Sequence, residues 1–324
     1  MADEPRTGRA RPWLRPLITY TFYGLLLVFL GLYLANIDYS RLREARFSWA
    51  MFLVATTLAL SFRYWGAFIW TQILRSLGAR DARYTADLVH VYAKSWLGRY
   101  IPGTAPWILG KIFFAAQHGI SKNKLAVSSL LEAALQIIVQ LLFALVLLVF
   151  DPRLDIIPPT LKALIVGALV GCLAALAPPV FNRFIGLSYR IVRKKEFPRE
   201  HQVQLPTLAR GFGLYVLGAL LSSLSLFFAA KTVFPNLAYS DIFFVMGVST
   251  LAGAVSMLAV FAPGGIGVRE GIQIALLSVI MPTEYAFIIA VFTRVHGVFI
   301  DLLFLALASI AVRSTRRTRS DAAT

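Results

Sequence analysis

The stretch Phe261-Ala-Pro-Gly-Gly-Ile-Gly-Val-Arg-Glu-Gly271 interrupts a strongly apolar part of the chain. Pro263 has no backbone donor and glycine relaxes backbone sterics, so a helix that runs through this stretch must break. The glycines concerned are Gly264, Gly265 and Gly267. Inside a bilayer, a broken backbone is tolerated only where protein or a water-filled cavity covers it. The stretch therefore predicts a broken hairpin at membrane depth. A polar loop outside the bilayer is the alternative.

A second break, Tyr100-Ile-Pro-Gly-Thr-Ala-Pro-Trp-Ile-Leu-Gly-Lys111, lies earlier in the chain. A shift of 161 residues places Pro102 and Gly103 on Pro263 and Gly264 without a gap. Apolar runs flank both breaks in the same order. Interrupted apolar segments at matching positions in two halves indicate a transporter's binding site. The sequence thus predicts an internal repeat with a ligand site at the two breaks.

Composition places the protein in a membrane. The 324 residues are 58% hydrophobic and have a mean hydropathy of +0.71, values typical of a polytopic membrane protein. The lone Cys172 excludes a disulfide framework and a thiol metal site, and the four histidines lack metal-ligand spacing. Membrane topology explains the net charge of +16 more simply than nucleic acid does. We expect no cofactor, no metal and no nucleic-acid partner.

The predicted fold is an all-α polytopic membrane protein with about six full spans plus two broken Pro-Gly re-entrant hairpins in an inverted repeat. Pro178-Pro179 is expected to kink or shorten the span that begins at 160. Ten spans, with both hairpins crossing fully, are the alternative. The single membrane domain comprises a cytoplasmic tail and anchor helix (1–47), repeat 1 (48–150), a linking span and basic loop (151–207), repeat 2 (208–312) and a basic tail (313–324).

Lys and Arg residues predict the orientation, because they are enriched in cytoplasmic loops. With both termini cytoplasmic, the inner segments hold twenty Lys and Arg residues and the outer segments hold six. This topology inverts repeat 2 relative to repeat 1. We expect a multi-pass protein of a bacterial inner membrane.

Six basic residues lie within apolar segments, against the acids Glu132, Glu270 and Asp301. Surplus cations in a membrane need anionic partners, and arginine binds phosphate with two hydrogen bonds at once. Lys94 is expected to reach the interface, whereas Arg63 fits a site or a scaffold equally. A buried pair between Glu132 and Arg294 is a further hypothesis. The predicted substrate-binding residues are Arg99, Pro102, Gly103, Lys111, Glu132, Pro263, Gly264, Gly265, Gly267, Arg269, Glu270 and Arg294.

These motifs, together with Gly119 and Glu132, resemble the transmembrane region of lysylphosphatidylglycerol synthases over residues 17 to 312. The resemblance implies a flippase region, which in bifunctional members accompanies a soluble aminoacyl-transferase domain. That domain is missing from this sequence, so the resemblance implies no transferase activity. Many members have Gly-Asp and Arg after the first Pro-Gly and an Arg after the glutamate. Here Thr104 to Lys111 and Ala133 differ, so the resemblance does not identify the headgroup.

The leading hypothesis is a translocator for an anionic phospholipid or lipid-linked amphiphile, with the headgroup bound at the two Pro-Gly hairpins. One alternative is an integral membrane glycosyltransferase or accessory subunit acting on a polyprenyl-phosphate lipid. Another is a scaffold that recruits a partner through the basic loop at 181–210. The expected partners are membrane lipids, with a homo-oligomer or a lipid-biosynthetic protein as further possibilities.

Overall fold

The computed structural model describes residues 47–79, 82–100, 106–154, 159–193, 196, 202–259 and 265–321. Every regular element within these ranges is helical. The predicted anchor helix and four of the predicted site residues, Pro102, Gly103, Pro263 and Gly264, lie outside them. The α-helices are α1 (Trp49–Ser76), α2 (Ala86–Trp96), α3 (Pro106–Ala116), α4 (Lys122–Val149), α5 (Pro159–Ala175), α6 (Pro178–Arg193), α7 (Leu205–Val233), α8 (Ile242–Leu258), α9 (Val268–Leu277) and α10 (Thr283–Asp321).

Five of these helices are long and apolar enough to cross a bilayer: α1, α4, α7, α8 and α10. A helix of 28 residues such as α4 is about 42 Å long, whereas the hydrocarbon core is only about 30 Å thick. The pair α5 and α6 adds a sixth span if the two helices cross as one. An all-helical, multi-pass membrane fold is therefore confirmed.

The proline pair at Pro178-Pro179 separates two helices instead of kinking one span. The helix stops at Ala175, and α6 leaves at an angle of 85° to α5. Proline lacks the backbone donor that would continue α5, but it suits the first turn of a new helix. Phe181, Ile185 and Tyr189 are buried along one face of α6, which packs against α4. The segment after the prolines is therefore a separate amphipathic helix.

The long helices α1 and α7 run antiparallel to each other. The backbone N–H of Ser48, just before α1, donates to the Thr232 carbonyl over 3.0 Å. Farther along α1, the Trp65 indole donates to the Leu214 carbonyl of α7 over 2.8 Å. Early residues of α1 thus meet late residues of α7. These two helices occupy equivalent positions in the predicted repeats.

Helix packing repeats the same pattern in both halves of the chain. The long helix α4 packs on α8, and the long helix α10 packs on α2. Each short helix that follows a break contacts the helix before it and the long helix after it, as α3 does with α2 and α4, and α9 with α8 and α10. Small residues permit the close approach of α4 and α8, where a Cβ at Gly247 would lie 2.9 Å from Leu148.

Candidate functional site

A cavity of about 310 Å³ lies among residues that flank both breaks and is lined from α1, α2, α3, α4, α7, α8, α9 and α10. Its size falls at the lower end of the range for small-molecule sites, about 300–1,000 Å³. Trp107 and Ile108 border it after the first break, and Gly265 borders it after the second. The polar lining comprises Arg63, Arg99, Gln136, Gln140, Ser222, Ser225, Ser249, Ser256, Arg269, Thr293, Arg294 and His296.

Asp301 of α10 is the acceptor on one side of this cavity. Arg63 Nε donates to Asp301 Oδ1 over 2.6 Å, and Arg99 Nη2 donates to Oδ2 over 2.5 Å. The Tyr100 hydroxyl donates to the same Oδ2 over 2.5 Å. Only 1% of Asp301 is exposed, so its carboxylate is desolvated and depends on these three donors. The contacts tie α1 and the helical turn Leu97–Tyr100 to α10.

Aromatic rings separate three of the four guanidinium groups. Arg63 Cζ lies 5.2 Å and Arg99 Cζ 5.0 Å from the centroid of the Trp96 ring. The Tyr100 ring is 5.0 Å from Arg99 Cζ and 5.9 Å from Arg294 Cζ. Cations over aromatic faces are attracted by the ring quadrupole, and arginine stacks there through its planar fork. The rings thereby hold like charges in one cavity.

The second break supports its own polar cluster. Gly267 has a φ of +85° and precedes α9, a backbone conformation that glycine tolerates and other residues avoid. Its N–H donates to Glu270 Oε2 over 2.7 Å, which satisfies one of the free donors at the start of the helix. The other oxygen, Glu270 Oε1, lies 3.6 Å from Arg294 Nη1. Glu270 therefore caps α9 and pairs with Arg294.

Arg269 differs from the other three arginines. It forms no ion pair with the carboxylates that the structure describes, and its buried Nε has no hydrogen-bond partner there. Buried donors without partners are rare in folded proteins, because each one costs its full desolvation energy. Arg269 also lies in the first turn of α9, where the helix dipole favours an anion.

Lys111 and Glu132 do not line the cavity; they form a sealed pair of their own. Lys111 Nζ donates to Glu132 Oε2, and both side chains are at most 1% exposed. The Tyr92 hydroxyl donates to Glu132 Oε1 over 2.9 Å, and Lys111 Nζ lies 4.3 Å from the Tyr92 ring centroid. The hypothesis of a Glu132–Arg294 pair is wrong, because Glu132 is bound by Lys111 and Arg294 by Glu270.

The structure gathers part of the predicted site and adds residues to it. Of the predicted residues, Arg99, Gly265, Arg269 and Arg294 line the cavity. Gly267 and Glu270 do not line it; they form the cap of α9, and Glu270 pairs with the lining residue Arg294. Asp301 was not among the predicted site residues, although its position seven residues after Arg294 places both on one face of the same helix. The sequence fitted Arg63 equally to a binding site or a scaffold, and in the structure Arg63 contacts Asp301. Lys94 is exposed, and its position at the membrane interface stays a prediction. Within the described ranges, no three His, Cys, Asp or Glu side chains are grouped to hold a metal ion.

Comparison with known proteins gives a family. No match to this chain was found among curated proteins or solved structures. A family model described as the lysylphosphatidylglycerol synthase TM region matches residues 13–304, which is most of the chain and includes both breaks and all four cavity arginines. The protein therefore belongs to the lysylphosphatidylglycerol synthase TM region family.

Proposed function

We propose that the protein translocates an anionic phospholipid or lipid-linked amphiphile across a bacterial inner membrane, with the headgroup in the arginine-lined cavity. One observation carries the proposal: four arginines line one cavity inside an apolar helical bundle. Cations are costly in a bilayer and are kept there when a function needs them. Family membership supports a lipid-related role in the membrane.

The cavity has the chemistry that an anionic headgroup requires. Guanidinium groups bind phosphate oxygens with paired N–H donors, and the N-terminus of α9 adds backbone donors beside Arg269. The glutamine and serine side chains of α4, α7 and α8 can bind polar parts of a headgroup. Acyl chains can remain in the surrounding lipid while the headgroup enters the cavity.

Alternating access through an inverted repeat is the mechanism that we propose. The antiparallel course of α1 and α7 supports the inversion, as does the reciprocal packing of α4 on α8 and α10 on α2. In such folds, one repeat rocks against the other around a site near the bilayer midplane. We further propose cytoplasmic termini, with each broken hairpin entering from the opposite side. Membrane lipids are the proposed partners, and a homo-oligomer or a lipid-biosynthetic protein is an additional one.

Transport in proteoliposomes tests the proposal. We expect Arg269→Ala and Arg294→Ala each to slow the transbilayer movement of a fluorescent anionic lipid by at least about tenfold, because each removes a charged hydrogen-bond donor. Lysine at either position should restore only part of the rate, since a point charge lacks the bidentate geometry. The control is Arg210→Ala, an exposed arginine that contacts Gln72 outside the cavity.

Each variant is first shown to be folded by its thermal unfolding in detergent. Wild-type transport by a folded Arg269→Ala protein would end the headgroup-site hypothesis. Loss of transport in Arg210→Ala would show that the assay reports general damage instead.

A further inference from the structure

The part of the chain that the structure describes places more positive charge around the cavity than its carboxylates neutralise. Arg63 and Arg99 share the single carboxylate of Asp301, while Glu270 serves Arg294. Arg269 has no carboxylate partner among the described residues. Four guanidinium groups and two carboxylates leave a surplus of two positive charges.

Neighbouring groups do not remove this surplus. Lys111 and Glu132 neutralise each other, and the rings of Tyr92 and Trp107 pack against the Lys111 ammonium group. The two segments that link the broken helices, residues 101–105 and 260–264, contain no ionisable side chain in their sequences. Within the described ranges, the surplus therefore remains with the arginine cluster itself.

We propose that the ligand is a lipid whose headgroup carries two negative charges, either as a phosphate monoester or as a diphosphate. This inference rests on the proposed function. Fixed charges in a poorly hydrated cavity are stabilised best by a ligand that cancels them in number. A phosphodiester such as phosphatidylglycerol supplies one negative charge. Lysylphosphatidylglycerol carries a net positive charge, which repels the same arginines.

The positions of the two surplus charges fit such a headgroup. One charge belongs to Arg269, whose unpartnered Nε adjoins the start of α9. The other is shared by Arg63 and Arg99, which divide one carboxylate between them. A terminal phosphate presents three acceptor oxygens and can be bound from both sides. A diester has two of its oxygens blocked by carbon, so it offers fewer acceptors to the same donors.

Binding measurements on the purified protein test the charge of the ligand. The probes are dioleoyl phosphatidic acid and dioleoyl phosphatidylglycerol at pH 8, above the second phosphate pKa of about 6. We expect phosphatidic acid to bind at least about tenfold more tightly, the effect of one further charged hydrogen bond. Inorganic phosphate and pyrophosphate are the lipid-free probes, and we expect both to compete weakly.

Two substitutions at one position separate charge from shape. Arg269→Gln lowers the surplus to one, so the preference for phosphatidic acid over phosphatidylglycerol should fall to near parity. Arg269→Lys keeps the charge, so the preference should persist although both lipids bind more weakly. Arg210→Ala should bind both lipids as the wild type does. If Arg269→Gln fails to fold, the wild-type ratio and Arg269→Lys still decide.

The outcomes distinguish the two proposals. Equal binding of both lipids by the wild type would overturn the dianion inference and leave lipid translocation standing. Binding of neither lipid would overturn both. Competition by inorganic phosphate as effective as that by phosphatidic acid would identify a soluble anion as the ligand and would also overturn the lipid assignment.

Discussion

At the scale of single residues, the Lys111–Glu132 pair and the cavity arginines differ in how their charge is balanced. Lys111 and Glu132 contact each other, so their charges cancel inside the protein. The cavity arginines outnumber their carboxylates and are spaced instead by the rings of Trp96 and Tyr100. Charge that is cancelled internally serves the fold, whereas charge left in surplus beside a cavity is available to a ligand.

The Lys111–Glu132 pair should therefore act on stability. We expect Lys111→Met to lower the free energy of unfolding by about 3–5 kcal/mol, because it leaves a buried carboxylate unpaired. Adding Glu132→Gln should recover most of this loss, since no buried charge then remains. Unfolding in detergent measures both variants, with the exposed Lys122→Met as control. Additive losses in the double variant would contradict direct pairing.

Individual contacts were the least predictable feature of the site. Apolar surroundings mark Arg269 and Arg294 as unusual in the sequence, and both line the cavity. The partner of a buried charge depends on which helices pack together, which spacing along one helix does not reveal. Asp301 meets Arg63, which is 238 residues away, and Glu132 takes Lys111 instead of Arg294.

At the scale of elements, α6 is distinguished by its three different faces. Its buried face packs on α4, while Val180, Phe184 and Leu187 are exposed and apolar. Arg183 and Arg190 are exposed on another side. A helix with apolar and basic faces lies in the plane of the membrane interface and is attracted to anionic lipids.

Spin labels in a Cys172→Ser background test this placement of α6. We expect a label at Phe184→Cys to be reached by oxygen, which concentrates in the acyl region. A label at Arg190→Cys should be reached by a water-soluble nickel chelate instead. Equal access of the chelate to both labels in liposomes would contradict an interfacial helix. Ile185→Cys, on the buried face, is the control that neither reagent should reach readily.

Elements were more predictable than contacts because length and apolar composition determine which segments can cross a bilayer. The apolar runs at 48–74, 124–150, 208–234 and 284–312 of the sequence correspond to α1, α4, α7 and α10. The size of the bend before α6 was harder to predict. Proline predicts that a helix is interrupted, but the direction of the next helix depends on the surface against which it packs, here α4.

At the scale of the whole molecule, corresponding helices follow one another in the same order in the two halves. The long helices after the breaks start at Lys122 and Thr283, which are 161 residues apart, the same shift that aligns the breaks themselves. The corresponding helices α1 and α7 run antiparallel. A repeat related by inversion accounts for both facts, because inversion reverses the direction of equivalent helices.

The proposed inversion predicts that the first residues of α4 and α10 face opposite sides of the membrane. Asn123 and Thr283 are both exposed near the starts of α4 and α10. In a Cys172→Ser background, we expect Asn123→Cys to react with an impermeant maleimide only from the cytoplasmic side, and Thr283→Cys only from the outside. The surplus of Lys and Arg in the predicted inner segments gives the direction. Labelling intact cells and inverted membrane vesicles distinguishes the sides, and the parent without cysteine controls for background. Reaction of both positions from one side would require a parallel repeat, and it would remove the symmetry on which alternating access depends.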